Sequence, residues 1–331
     1  MTETSVVICT WTEDRWNQLA AAVASVQAQT EPASELIVVV DHNAPLYERV
    51  RREHPGVVAV QSSEPRGAAG SKNSGIAHAR GEFVAFLDDD AAAEPDWLAR
   101  LREPFADPRV LGVGGTAAPV WESTETRWFP PEFNWIVGCS YAGLPRGSAS
   151  VRNVFGCNMA FRAETLRSLG GFRHELGRVC ADPLGCEETE FCIRLVQRWP
   201  GSLLMHEPRA RVRHQVPAAR STWRYFRQRC YAEGISKAHV IRLVGARSGL
   251  ESERRFAASV LPAAALRALA EGLRRRDGAA LARSGAIVAG LTITTAGFLT
   301  GAATGRLSRR SGPRQATAPS LPGGLQRPER S

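Results

Sequence analysis

Asp88, Asp89 and Asp90 stand in a row at the end of the apolar run Phe83-Val84-Ala85-Phe86-Leu87. A short buried strand delivers three carboxylates to one point there, and carboxylates that close repel one another unless something cationic joins them. A divalent metal holding a diphosphate suits such a place, because magnesium and manganese take one or two protein carboxylates together with phosphate oxygens. The plainer alternative is a solvated acidic turn before the next helix, with Glu94-Pro95-Asp96 as its start signal. Two further groups have useful chemistry. Glu187 and Glu188 open the amphipathic run Phe191-Cys192-Ile193-Arg194-Leu195, where acid either complements the helix dipole or serves as a base. The glycine-rich piece Arg66-Gly67-Ala68-Ala69-Gly70-Ser71-Lys72 precedes a short helix at residues 76–79. Backbone amides, Arg66 and Lys72 can meet an anion there, although a plain turn before a helix explains the same residues.

The elements that must position these groups are legible as β-branched runs at residues 6–10, 36–40 and 57–60, separated by helical stretches at 15–29 and 46–54. Such alternation predicts an α/β fold whose central, mostly parallel sheet is covered on both faces. Ligands of open α/β sheets bind beyond the carboxyl ends of the strands, where Thr10, Asp41 and Asp88 to Asp90 all fall. No GxGxxG follows the first strand and no GxxxxGK[ST] occurs anywhere, so neither common phosphate loop is present.

Taken in order, SVVICTW, ELIVVVD, PRGAAGSKNSGI, GEFVAFLDDDA, FGCNMAFRAE and GCEETEFCIRL resemble the family 2 glycosyltransferases, which have the GT-A nucleotide-diphospho-sugar transferase fold. The resemblance covers residues 5–245. It implies that Asp41 contacts the nucleotide base, Asp88 the ribose side of the donor, and that Asp90 ligates a manganese or magnesium ion bridging the diphosphate. Asp89, Thr10, Arg66 and Lys72 are expected on the donor side, and Asn158 is the expected sugar contact. His214 is either a third metal ligand or a diphosphate contact, against the plainer reading of a structural histidine. The Glu187-Glu188 pair aligns with the family's Glu-Asp pair, whose second member takes the acceptor proton, so Glu188 is the implied base and reaction with inversion the implied course. The longer Glu arm, the Cys before the pair, and Lys72 where Arg is usual are departures. Within the family the GCEETEF piece and an aromatic-proline segment are similar to transferases acting on polyprenyl- or dolichyl-phosphate sugars, including glucuronosyltransferases.

Residues 121–153 hold Trp121, Trp128, Phe129, Phe133, Trp135 and Tyr141 with Pro130, Pro131 and Pro145, and Pro119 just before, which predicts a loop over the site or a satellite hydrophobic cluster. Arg227-Gln228-Arg229 lies where processive relatives carry Gln-x-x-Arg-Trp, a motif this chain lacks. The seven cysteines form no CxxC pair and read as reduced thiols.

Charge divides the chain. Residues 1–200 carry 19 Lys and Arg against 26 Asp and Glu, a net of −7, whereas residues 201–331 carry 23 against 7, a net of +16. The basic part suggests an anionic surface; nucleic acid is excluded for want of any accompanying recognition motif, leaving a membrane surface. Residues 260–273 have apolar positions at helical spacing before Arg274-Arg275-Arg276, and residues 284–305 are uncharged, long enough for a span but rich in Gly, Ala and Thr. They read as membrane-surface or re-entrant helices, with a true span and a helical subdomain packed on the core as the alternatives. The expected division is a GT-A-like catalytic domain at 1–215, a basic helical extension at 216–306 and a disordered tail at 307–331. With no secretory signal ahead of the first strand, catalysis is expected in the cytoplasm, peripheral at the inner face of the cell membrane. The expected activity is metal-dependent transfer of a hexose from a nucleotide sugar, UDP-linked, to a hydroxyl of a saccharide or lipid-linked acceptor. A nucleotidyltransferase acting on sugar phosphates and a non-catalytic sugar-nucleotide-binding protein are the alternatives.

Overall fold

A computed structural model describes residues 3–124, 126–178, 184–245 and 251–310. The first half alternates strand and helix: β1 (Thr4–Thr10), α1 (Trp16–Gln27), β2 (Glu35–Val40), α2 (Ala44–Glu53), β3 (Val58–Gln61), α3 (Ala68–His78) and β4 (Phe83–Asp88). After it come β5 (Ala91–Ala93), α4 (Trp97–Arg102), β6 (Val110–Trp121), β7 (Ala149–Ser150), β8 (Asn158–Arg162), α5 (Ala163–Ser168), α6 (Glu187–Arg198) and β9 (Leu203–Val216). Among the described residues these strands make one nine-stranded sheet, ordered β3-β2-β1-β4-β8-β6-β9-β5, with β7 on β9.

Strands β3, β2, β1 and β4 are parallel, and β1, β2 and β4 carry the continuous apolar runs of strands buried on both faces. The rest is mixed: β8 runs antiparallel to β4 and β6, β6 is parallel to β9, and β5 is antiparallel to β9. Two apolar layers flank the sheet. Val6, Ile8, Val38 and Val40 face Leu19, Val23, Trp97 and Leu101 on one side; Val7, Ile37, Val39 and Phe86 face Ile76, Phe161, Phe172 and Phe191 on the other.

The glycine-rich piece is not a loop ahead of a helix, because α3 already begins at Ala68. Glycine lets this helix lie against the sheet: a Cβ on Gly75 would stand 2.5 Å from Val7 Cγ1, and one on Gly70 1.9 Å from the Pro65 carbonyl. Of the two readings of the aromatic segment, the structure shows the hydrophobic cluster and not a loop over the site. Phe129, Phe133 and Ile136, partly in a 3₁₀ turn at Pro131–Val137, pack with Phe226 and the C-terminal helices.

Those helices are α7 (Trp223–Val244), α8 (Glu251–Arg255), α9 (Leu261–Arg275) and α10 (Gly278–Arg310). A charge cluster clamps them to the sheet domain, with Glu253 of α8 paired to Arg152 and to Lys237 of α7, the latter at 2.8 Å. The expected tail begins within α10, and residues 311–331 lie outside the described residues. Six described cysteines are free thiols; Cys180 lies outside.

Candidate active site

The site lies at the carboxyl ends of β1, β2 and β4. Asp88 ends β4 in register with Cys9 of β1, and the chain then turns into β5, whose Ala91 pairs with His214 of β9. This register, closed by a bond from Gln215 N–H to the Asp90 carbonyl at 2.8 Å, sets His214 Nε2 3.1 Å from Asp90 Oδ1. Asp88, Asp90 and His214 offer three ligand atoms within 4.8 Å of one another.

Their surroundings fit a cation. Asp90 Oδ1 and His214 Nδ1 are buried without an aligned hydrogen-bond partner, although the His214 ring lies within ion-pair distance of Asp90. Two carboxylates and an imidazole suit manganese well and magnesium less closely. Burial alone would raise the Asp90 pKa, but His214 and Arg15 hold its carboxyl well below the usual range. Arg15 bridges Asp89 at 2.8 Å and Asp90 at 3.1 Å, and Arg220 stands 3.6 Å from Asp90.

Asp89 points elsewhere. It is buried, accepts from Thr10 Oγ1 at 2.8 Å, and is raised to about 6 by burial and by Asp90 next to it. Thr10 and Asp89 therefore lie under the site and hold its floor. Asp41 Oδ2 accepts from Gly67 N–H at 2.9 Å, while exposed Arg66 reaches the His42 carbonyl at 3.3 Å. These contacts tie the end of β2 to the start of α3.

Across the site, α6 begins with three glutamates in one turn. Glu190 is fully buried between Arg173 and Arg194, both at 2.9 Å, and is structural. Glu187 is paired at 2.9 Å with Lys72, which reaches over from α3. Burial would raise Glu187, but the Lys72 ammonium lowers it; the ammonium is in turn kept charged, despite its own burial, by Glu187, Asp88 and Glu188. Glu188 is only partly buried and has no ion pair among the described residues. Burial first, and then the Glu187 charge, push it up to about 8. Gly156 leaves room here, since a Cβ on it would lie 3.2 Å from Lys72 Nζ and 3.7 Å from Glu188 Oε2. Of the acidic groups at the site's centre, Asp88 and Glu188 keep solvent access, and both help keep Lys72 charged.

The fold thus brings Asp41, Arg66, Lys72, Asp88, Asp90, Glu187, Glu188 and His214 to one edge of the sheet. Asn158 is not at the surface of that edge, which corrects its expected role. It is fully buried, accepting from Trp97 Nε1 at 2.8 Å and donating to the carbonyls of Thr116 at 3.1 Å and Ala210 at 3.0 Å, so its amide has nothing left for a sugar. Sequence reasoning missed the cations Arg15, Arg178 and Arg220. Arg178 keeps its charge against burial through Tyr225, Asp88, Glu187 and Asp90, and so faces both acidic groups. Nothing in the sequence marks these three among 42 Lys and Arg.

Parallel strands feeding an acidic turn, with an antiparallel return carrying a third candidate ligand, define the GT-A class of glycosyltransferases, and solved structures agree. A mannosyltransferase from Pyrobaculum calidifontis, solved with GDP-Man and Mn2+, superposes with a TM-score of 0.59 at 22% identity, covering 94% of this chain and 88% of that one. GalNAc-T7, solved with UDP, GalNAc and Mn2+, superposes at 0.51 with 17% identity, covering 77% and 54%. At the level of sequence, residues 5–170 match the profile of glycosyl transferase family 2. The glucosyl-dolichyl phosphate glucuronosyltransferase of Haloferax volcanii is 34% identical over 70% of this chain and 75% of its own. The succinoglycan biosynthesis protein ExoM of Rhizobium meliloti is 27% identical over 73% and 80%. The chain belongs to glycosyltransferase family 2 and is a glycosyltransferase.

Proposed function

We propose that this glycosyltransferase moves a hexose from a nucleotide sugar, UDP-linked, to a hydroxyl of a lipid-linked sugar, with inversion and at the cytoplasmic face of a membrane. The observation that carries this reading is the pairing of a cation-ready triad, Asp88, Asp90 and His214, with an accessible carboxylate, Glu188, near Lys72. The acceptor class is supported by the Haloferax relative, whose name specifies a glucosyl-dolichyl phosphate substrate, and by two C-terminal helices long and apolar enough to cross a membrane.

Asp88, Asp90 and His214 would hold the divalent ion, manganese or magnesium, which when bound neutralises charge on the departing diphosphate. Lys72 and Arg178 add fixed positive charge beside it in a site of low dielectric, where such charge acts most strongly. Glu188 Oε takes the proton of the acceptor hydroxyl as that oxygen attacks the anomeric carbon. A carboxylate raised to about 8 is matched to proton transfer near neutrality. Glu187, kept ionised by Lys72, maintains that proton affinity. Direct displacement needs one base and no carboxylate nucleophile, and Glu188 supplies that base.

The test is nucleoside diphosphate release by the purified chain from a panel of nucleotide sugars, with polyprenyl-phosphate glucose in detergent and with manganese, magnesium or chelator. Expected are metal-dependent release from a UDP-hexose, loss in Asp90→Asn and Glu188→Gln, and an inverted anomeric centre by NMR. Release of inorganic diphosphate, or a retained anomer with Glu188→Gln fully active, would overturn the proposal.

A further inference from the structure

The C-terminal helices are apolar on the side that faces away from the enzyme. Helices α9 and α10 form a hairpin, with Ser284 Oγ donating to the Ala265 carbonyl at 2.9 Å and Gly272 packed on Leu281. Their inner faces, Leu261 and Ala264 on α9 and Ala286 and Ile287 on α10, join Phe129, Phe133 and Phe226 in one cluster. Their outer faces carry Leu266 and Leu273, each 66% exposed, with Leu269 between them at helical spacing on α9. On α10 the corresponding stripe is Leu281, Val288 (58% exposed), Thr292, Thr295 and Leu299 (63%). Thr292 and Thr295 donate their hydroxyls back to the carbonyls of Val288 (2.9 Å) and Leu291 (2.8 Å), so each spends its polarity inside the helix and shows a methyl outward.

Cations border this apolar face. Arg274, Arg275 and Arg276 end α9. Between α7 and α10 runs a groove of about 530 Å³ lined by Arg224, Arg227, Gln228, Tyr231 and Ile293. Arg224 and Arg227 are exposed, and among the described residues neither has an ion pair.

We infer that the layer formed by α7, α10 and α9 docks on an anionic phospholipid bilayer, with the outer stripes of α9 and α10 in the interface and Arg224 and Arg227 on lipid phosphates. An exposed apolar stripe bordered by unpaired arginines has the composition of an interfacial helix, and the occupant it complements in charge is an anionic lipid surface. Length alone would allow Gly278–Thr304 to cross the membrane. Packing argues against it, because the inner side of α10 is closed along its length by the enzyme. A Cβ on Gly290 would lie 2.6 Å from Phe133, on Gly297 2.1 Å from the Tyr231 carbonyl, and on Gly301 2.9 Å from Ala238 Cβ. A helix whose inner side is held against Phe133 and α7 over these turns is not surrounded by lipid. The inference deepens the lipid-linked-acceptor reading above and rests on its membrane-proximal part; its test needs no catalysis, so the two can fail separately.

The test floats the full chain with phosphatidylcholine vesicles, with and without phosphatidylglycerol, across a salt series, beside three variants. Wild type and Glu188→Gln are expected to float equally with the anionic vesicles and to be released as salt rises. Arg224→Gln with Arg227→Gln should weaken that binding roughly thirtyfold, two charges at about 1 kcal/mol each near the surface. Leu266→Ser with Leu269→Ser and Leu273→Ser should abolish it while leaving circular dichroism and donor turnover in detergent unchanged. Equal affinity for neutral vesicles, or unchanged flotation of both surface variants, overturns the inference. Resistance to salt and carbonate, with release by detergent only, overturns the interfacial geometry in favour of a span. Serine variants that turn a dimer into a monomer without altering flotation would show that a second copy covers the face.

Discussion

Replacing Lys72 by Met tests how the site sets the proton affinity of its base. Lys72 Nζ and Glu188 Oε2 flank the same point, 3.2 and 3.7 Å from a Cβ on Gly156, and so lie within about 7 Å of each other. At an effective dielectric of about 20 a charge pair at that distance is worth ~2 kcal/mol, or on the order of one and a half pH units. Glu188 already stands at about 8 with Lys72 present, because burial and Glu187 raise it while Lys72 opposes them. Deleting the ammonium removes the opposing influence and drives Glu188 higher. Glu187 loses the same partner and picks up a proton more readily, which gives back part of the shift. A base works deprotonated, so below its pKa kcat/KM falls tenfold per pH unit. The assay is kcat/KM for nucleoside diphosphate release from pH 5.5 to 9.5. Wild type is expected to show an acidic limb bending near pH 8, and Lys72→Met the same limb moved upward by roughly one unit, about tenfold slower at neutral pH. Glu188→Gln should lose the limb together with roughly 10²–10⁴ of the rate. A limb that stays in place in Lys72→Met, or survives in Glu188→Gln, would refute the assignment of Glu188 as base.

Asp90→Asn should reduce manganese binding, followed by calorimetry, and remove metal-dependent release while leaving the thermal transition within a few degrees of wild type; intact metal dependence would exclude the triad. Asn158→Ala should cost about 2–4 kcal/mol in denaturant unfolding, because one Trp97 donor and two buried carbonyls lose their partner, with the donor KM unchanged; a raised KM without lost stability would restore its role as a sugar contact. Glu253→Gln should destabilise by about 1.5–3 kcal/mol, since it removes the carboxylate charge that Arg152 and Lys237 share. Burial would raise Glu253, but Lys237 and Arg152 lower it to about 2. Its contribution is therefore complete above the ordinary carboxylate range and fades as pH falls toward about 2, so wild type and variant should converge in stability in acid.

Strands β1, β2 and β4 were legible because they are buried on both faces and must be continuously apolar, as VVI, IVVV and VAFL are. The antiparallel half was less so. In β9 the alternation of buried Ala210, Val212, His214 and Val216 with Arg209, Arg211, Arg213 and Gln215 was present to be read, but its pairing partner was not. Only the register of Ala91 on His214, 123 positions apart, turns an isolated histidine into a neighbour of Asp90. Asn158 misled for a related reason. Its role was carried over from the family resemblance alone, whereas the irregularity of β6 between Gly114 and Thr116 leaves the Thr116 carbonyl in need of a donor that Asn158 supplies.

The three glutamates of α6 show what sequence reasoning lacks at such a site. Glu187, Glu188 and Glu190 share one turn and one chemical type, and the dipole argument applies to all of them alike. What separates them is the partner each finds from elsewhere in the chain. Glu190 meets two arginines and is fully buried, Glu187 meets a lysine from α3, and Glu188 meets no cation within ion-pair distance among the described residues while keeping access to solvent. The same burial that is harmless to a paired carboxylate raises the proton affinity of an unpaired one. The unpaired glutamate is therefore the one equipped to take a proton from an incoming hydroxyl, and the paired ones hold it in place.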